Sequence, residues 1–528
     1  MRPTTTAAPT KGLLLVNRRI AIGAALVAVC ALGILAAAGA TPEAKVKPKK
    51  ATTAKATTAK ATTAKATTAK TTTAAATTTA KSPTATPLPA PNDTAWLSFG
   101  NDDQSTKGVV SAAITAATVG NLHPRWTVKL AGQVVAQPLY YQGLVYVASE
   151  GGDLLAVNAS TGAVVWKKTS SVVKTPSCGT WGISATPVID IGRHRIYVAQ
   201  ANGQINGYDL TSGGQIAGFP VSVVSSSVME YVWGGLRIYG NRVLAGISSH
   251  CDEPNTNGAY ATGKLVGVNL DNTTDKIFFQ PVTGSGHLGG IWGYSGATVQ
   301  PGGGSVFTAT GNAIGTDPAC KCQHDDWGYG DAIVQLDANL KVLAANNPGI
   351  PKAGDDDWGA APALFQPQGC QPLAVAENKN GLIYVYNQNS LTSGPIWSLG
   401  IGDGASPLLD SPAWSSYEQM FYVAGARMPY DRSQPRTGEG IIAIKVGPGC
   451  TFSVAWTAPT GDGPQAPPIV VGNVVFASGS NHNVVALDAA TGKQLWIDTT
   501  QGTTLGAPSE AAGTLFAPDG STVTAFGP

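Results

Sequence analysis

The sequence predicts an all-β fold, an eight-bladed β-propeller, behind a signal or anchor helix and a disordered Thr/Ala/Lys/Pro stalk. Three observations predict it. Charged residues make up only 12% while Gly numbers 64 and Pro 35, a composition suited to short strands and tight turns rather than helices. A unit of strand, Asp/Asn turn, Thr-Gly pair, second strand and Trp recurs along residues 92–528. The final copy is truncated, as expected of a ring whose last blade is completed by strands from the other end of the domain.

The N-terminal elements come first. Residues 1–19 are a basic n-region, with Lys11, Arg18 and Arg19 ahead of an uncharged apolar run over 20–40. That run is 21 residues, long enough to cross a bilayer, and Ala38-Gly39-Ala40 fits a small-x-small cleavage site. Two outcomes follow: an uncleaved single-pass membrane anchor, or a secreted domain cut after Ala40. Positive charge before the run predicts an extracytoplasmic location for everything after it. Arg18-Arg19 lacks the flanking Ser and Phe of a twin-arginine signal, and Val29 before Cys30 disfavours a lipoprotein. Residues 41–91 repeat ATTAK four times over 51–70 and continue as Thr, Ala and Pro, which cannot build a core. They form a linker that gives the domain reach.

Charge divides the same way. Residues 1–91 carry about +12 and the remainder about −10. An acidic folded part excludes a nucleic-acid partner, which needs a basic face.

The repeat is clearest in GGDLLAVNASTGAVVW (151–166) and NHNVVALDAATGKQLW (481–496). Its alternating apolar residues read as half-buried strands, and Gly162 and Gly492 supply the positive φ of a tight hairpin. Further copies begin at residues 202, 263, 330, 380 and 438, and DGSTVTAFGP (519–528) is the truncated one, eight in all. RWTVKL (125–130) is expected to complete the last blade, and Trp126, Trp166, Trp456 and Trp496 to pack between blades. Six Cys after the apolar run (Cys178, Cys251, Cys320, Cys322, Cys370, Cys450) permit disulfides in an exported domain, with 15 possible pairings.

The AlDa-TGk-W repeat, the opening WLSFGNDDQSTKGVV and four segments between repeats resemble the pyrroloquinoline-quinone (PQQ) dehydrogenase family of propellers over essentially all of 92–528. GGIWGYSG (289–296) resembles the segment whose Trp forms the floor under the quinone, which implies that role for Trp292. VFTATGN (306–312) resembles the strand ending in a calcium-binding Asn, here Asn312. GDDDWGAAP (354–362) resembles the segment whose Asp takes the substrate hydroxyl proton and touches the metal, here Asp357, with Asp355 and Asp356 leaving the register open. ENKNGLIYVYN (377–387) resembles the entry of the strand whose cation faces the quinone oxygens, here Lys379. LAGISSHCDEPN (244–255) offers Asp252 or Glu253 as the acidic metal ligand. Gly359, where lanthanide-using relatives have a second acid, favours Ca2+. GDDDWGAAP looks closest to the polyvinyl-alcohol-dehydrogenase-like branch.

The resemblance has a gap. Family alcohol dehydrogenases cap the quinone with two adjacent Cys followed by an Arg; SCGTWGISATP (177–187) has only Cys178, with no Arg before Arg193. The upper face of the cofactor site must therefore differ. CKCQHDDW (320–327) reads either as a disulfide-stapled loop over the pocket or as a soft-metal site, and no haem c motif, nucleotide loop or hydrolase motif occurs. The resemblance implies a PQQ- and Ca2+-dependent dehydrogenase of an alcohol or sugar alcohol that passes electrons to a separate acceptor. Because the same repeat builds non-catalytic propellers, a binding or assembly scaffold at the cell envelope is the alternative, and a wall-associated adhesion or sensing module a third.

Overall fold

The computed structural model describes residues 88–528, except 176–178, 251, 253, 256, 285, 317–322, 325–326, 351–355, 403–409, 426–439, 461–465, 479–483 and 499–505. The n-region, apolar run and nearly all of the stalk lie outside the described residues, as do Cys178, Glu253, Cys320 and Cys322. Among the described residues, no helix is long and apolar enough to cross a membrane.

The all-β reading is correct, and the domain is an eight-bladed propeller. Blade 1 comprises Leu139–Tyr141, Leu144–Ala148, Asp153–Asn158 and Val164–Thr169, paired in antiparallel order. Blades 2 to 7 repeat that order in sequence, their third strands being Gln204–Asp209, Lys264–Asn269, Ile333–Leu336, Leu382–Asn387, Gly440–Gly447 and Val484–Asp488. Every repeat copy thus marks the third strand of its blade. Blade 8 takes Ser509–Ala511, Thr514–Asp519 and Thr522–Gly527 from the C-terminal end, and its outer strand is His123–Lys129. That antiparallel pairing closes the ring as the truncated repeat predicted, leaving no long free inner edge.

The Trp and Thr-Gly positions of the repeat are two halves of one contact. Trp126, Trp166 and Trp456 each donate their indole N–H to a carbonyl in the next blade's turn: Ala159 at 2.7 Å, Leu210 at 3.0 Å and Ala489 at 3.0 Å. Trp496 does the same to Leu122 O at 3.1 Å. Gly162 and Gly492 have φ of 73°, and a Cβ there would also sit 2.8 Å from Trp126 and 2.6 Å from Trp456. Glycine is required twice over, by the backbone and by the neighbouring ring.

One expectation is corrected. The repeat strands are not half-buried: Asp153–Asn158 is buried at every residue but the last, and Leu382–Asn387 at all four central residues. Each inner strand is covered on both faces by adjacent blades, so apolar clusters bridge blades rather than fill one core. Examples join blades 2 and 3, 5 and 6, and 6 and 7. The alternation survives at the outer strands, such as Val164–Thr169. One of the fifteen pairings is decided as well: Cys370 and Cys450 form a disulfide with a Cα–Cα distance of 4.9 Å, joining loops of blades 5 and 6.

The opening segment has a role that its sequence did not reveal. Residues 93–107 run round the inner ring and cap the innermost strands in order. Leu97 O accepts from Ile189 N of blade 2 at 2.8 Å, and Phe99 and Asp102 carbonyls accept from Arg237 of blade 3. Asp103, Gln104, Thr106 and Lys107 carbonyls then accept from Val299, Leu364, Trp414 and Val470 of blades 4 to 7 at 2.8–2.9 Å. Asp93 O meets Ala512 N of blade 8. Backbone donors facing the axis would otherwise be orphaned. Left-handed steps at Asn101, Ser105 and Lys107 let the chain turn from blade to blade.

Candidate functional site

In each blade the second strand ends, and the first begins, at the same end of the sheet. Residues just after a second strand therefore meet residues just before a first strand at one mouth of the ring. Ser248 and Ser249 end the second strand of blade 3, Asn312 follows that of blade 4, and Lys379 follows that of blade 5. Trp292 precedes the first strand of blade 4 and Asp357 that of blade 5. Together with Asp252 they line one cavity of about 170 Å³.

Every described residue that the sequence nominated thus shares this cavity: Trp292, Asn312, Asp357, Lys379 and Asp252. Among the described residues of GDDDW, Asp357 is the acid that lines the cavity. It is 3% exposed, lines the cavity, and is held from two sides. Its Oδ1 accepts the Asn312 backbone N–H at 2.6 Å, and its Oδ2 accepts from Lys379 Nζ at 3.0 Å. Asp356 instead gives its carbonyl to Asn378 Nδ2 at 2.7 Å, and Asp355 lies outside the described residues. The backbone fixes the pair, since Lys379 N–H donates to Asp357 O at 3.0 Å and Trp358 bridges to Asn378. Lys379 Nζ also lies 4.4 Å from the centre of the Trp292 ring, within cation–π range.

Two glycines make this closeness possible. A Cβ on Gly311 would stand 2.5 Å from Asp357 Oδ1, and one on Gly293 would meet Gly359 O at 1.4 Å. The glycines of TATGN and IWGYS are therefore steric requirements of one assembly.

Beneath Trp292 the aromatics continue. Trp233 stacks on it at 5.1 Å, Tyr294 packs on Trp233 at 6.2 Å, and Phe99 of the inner girdle stacks on Tyr294 at 5.8 Å. Three further residues line the cavity that the sequence reading did not assign: Trp181, Tyr231 and the wall residue Trp233. His250 is the fourth, and it stacks on Tyr231 at 4.3 Å and 12°. Burial lowers its pKa to about 4, so its ring is neutral near pH 7. Only three-dimensional proximity connects Trp181, which lies between blades 1 and 2, with Tyr231, Trp233 and His250, which belong to the chain of blade 3.

Oxygen donors from Asp357, Asn312, Asp252 and the Ser248 and Ser249 hydroxyls share the lining, the hard donor type that calcium takes. Among the described residues no three His, Cys, Asp or Glu side chains converge as a metal-binding group. The proposed set relies on an amide, and its other acid, Glu253, lies outside the described residues. Cys178, nominated to touch the cofactor, is likewise undescribed.

Known proteins bear on this architecture. The sequence profile of the family described as outer membrane protein assembly factor BamB matches residues 111–250 and 448–527. No curated protein sequence matches the chain. Among solved structures, the quinohemoprotein alcohol dehydrogenase ADHIIG from Pseudomonas putida HK5 is similar, with TM-score 0.65 and 15% identity over 82% of this chain and 80% of that one. A europium-containing methanol dehydrogenase aligns with TM-score 0.63 and 15% identity over 82% and 91%. BamB from Moraxella catarrhalis aligns with TM-score 0.53 and 12% identity over 77% and 99%. At these identities the likeness establishes the fold, a propeller like that of the quinoprotein dehydrogenases.

Proposed function

We propose that the chain is an extracytoplasmic, PQQ- and Ca2+-dependent dehydrogenase that oxidises an alcohol or sugar alcohol, its domain held at the membrane by residues 20–40 or released by cleavage after Ala40. One observation carries the reading: Asp357, Lys379, Asn312 and Trp292, drawn from separate segments, meet on a single cavity. The comparisons support it through the fold.

The residues present suit the cofactor and the ion. Trp292 offers an aromatic floor for a flat tricyclic acid, and Lys379 a positive charge beside it. Asn312, Asp252, Glu253 and Asp357 would hold calcium, with Cys178 near the quinone. When bound, PQQ supplies the two-electron acceptor for the hydride leaving the carbinol carbon, and calcium supplies Lewis acidity.

The chain's own part is proton removal and charge placement. Oxidation of an alcohol releases a hydride and a proton, and Asp357 is the carboxylate that accepts the hydroxyl proton. Its orientation is set by the Asn312 N–H and by Lys379, so its oxygens face a fixed direction before substrate arrives. Lys379 places a cation where negative charge accumulates on reduction. Electrons leave to a separate acceptor. The Asp-Trp-Gly step at 357–359 makes polymeric alcohols the first substrates to try beside simple ones.

A specific observation favours a second reading, a non-catalytic binding or assembly scaffold: the matched family profile is that of an assembly factor. One experiment separates them. The full-length protein is incubated with PQQ and CaCl2, and dye reduction with a panel of alcohols is followed. The dehydrogenase requires both additions and acquires a quinone absorbance. A protein that acquires no quinone absorbance and reduces no dye under any combination is the scaffold.

A further inference from the structure

Two aromatic groups line the cavity, and only one of them belongs to the floor assigned above. The first is Trp292 with Trp233, continuing to Tyr294 and Phe99. In the second, Trp181 packs on Tyr231 at 5.0 Å and on His250 at 5.9 Å. No ring contact links the two groups among the described residues, yet both line the same cavity.

We propose that Trp181, backed by the Tyr231–His250 stack, is the second face of a slot that grips the planar quinone opposite Trp292. The inference rests on the reading of the site as a quinone pocket and adds the residue that closes it.

Local structure supports this assignment. Trp181 ends a two-stranded hairpin, Val173–Thr175 with Gly179–Trp181, that lies outside the blade sheets between blades 1 and 2. This hairpin is not needed to complete either blade. It is nevertheless pinned: the Gly182 N–H after Trp181 donates to the half-buried Glu150 carboxylate at 2.7 Å, and a Cβ on Gly182 would collide with Glu150 O at 2.3 Å. Tyr231 and His250 are 3% and 6% exposed and parallel to within 12°, a rigid backing that leaves Trp181 half-buried at the cavity.

Two aromatic faces suit a flat conjugated ring better than an aliphatic ligand, which would gain nothing from ring-to-ring stacking. The missing second Cys and Arg of the segment around Cys178 would be made up by a ring three residues further on.

The test is calorimetric titration of PQQ, with CaCl2 present, into full-length wild type and into Trp181→Ala and Trp181→Phe, each checked for an unchanged melting temperature. Stacking on an aromatic side chain is lost on truncation to alanine, so Trp181→Ala should weaken binding roughly 10- to 100-fold. Trp181→Phe keeps a ring and should recover most of the affinity. Wild type that binds PQQ, with Trp181→Ala binding it equally well, overturns the second face and leaves the quinone reading intact. Wild type that binds no PQQ overturns both.

Discussion

Two lysine–carboxylate pairs stand near the axis of this ring. Lys379 meets Asp357 at 3.0 Å and Lys107 meets Asp410 at 3.5 Å. Both lysines also lie over an aromatic ring, Trp292 at 4.4 Å and Phe99 at 5.4 Å. Their surroundings differ. The first pair borders a cavity, with 15% of the lysine side chain exposed. The second is sealed: Lys107 has no exposure, and its ammonium group donates to the Ser411 hydroxyl and to the Ser411 and Pro412 carbonyls. Glu377, wholly buried nearby, has no hydrogen-bond partner for either carboxylate oxygen among the described residues. A charge pair open to a cavity can act on a ligand, whereas a sealed one acts on the fold. Composition of the pair does not distinguish them; access does.

The largest separation should appear in turnover. Asp357→Asn removes the proposed proton acceptor but keeps the side-chain shape, so the rate at saturating alcohol should fall by roughly 10²–10⁴-fold. Its melting temperature should stay near that of wild type. A variant that turns over normally would move the base elsewhere.

Exchanging each lysine for methionine sharpens the contrast in the other direction. Lys107→Met strands the Asp410 and Glu377 carboxyls without their counter-ion and should cost about 3–5 kcal/mol in urea unfolding, the scale for breaking a buried pair. Lys379→Met leaves Asp357 beside a cavity that water can enter, and should cost about 1 kcal/mol or less. Equal losses would mean that the cavity does not matter to the energetics.

The smallest effect is a pH slope. Burial pushes the Asp410 carboxyl up to about 6, against the pull of Lys107. An unfolded Asp titrates near 3.9, so the folded chain holds this proton more tightly. The associated stability is fully present below about pH 4 and is lost as pH rises toward 6. Thermal midpoints measured across that window should decline in wild type and flatten in Asp410→Asn. An unchanged slope would remove Asp410 from the account.

Legibility in the sequence followed distance along the chain. The blades could be counted because Trp, Thr-Gly and the third strand recur at fixed local offsets, and the ring places them in register. Asp357, Lys379, Trp292 and Asn312 could be nominated because each sits in a short recognisable segment, and two glycines of those segments, Gly293 and Gly311, prove to be contact points. Burial was misread because alternation describes a strand covered on one face, while the blades cover both.

The order of strands, the closing of the ring through residues 123–129 and the nomination of Trp292, Asn312, Asp357 and Lys379 were thus determined by the chain itself. Tertiary structure alone decided three things. It chose Cys370 and Cys450 as partners, made residues 93–107 an inner girdle, and brought Trp181 to the same cavity as Trp292. The physical reason is common to all three: each joins groups far apart along the chain, and no local periodicity encodes which distant backbone donor, thiol or ring face will arrive.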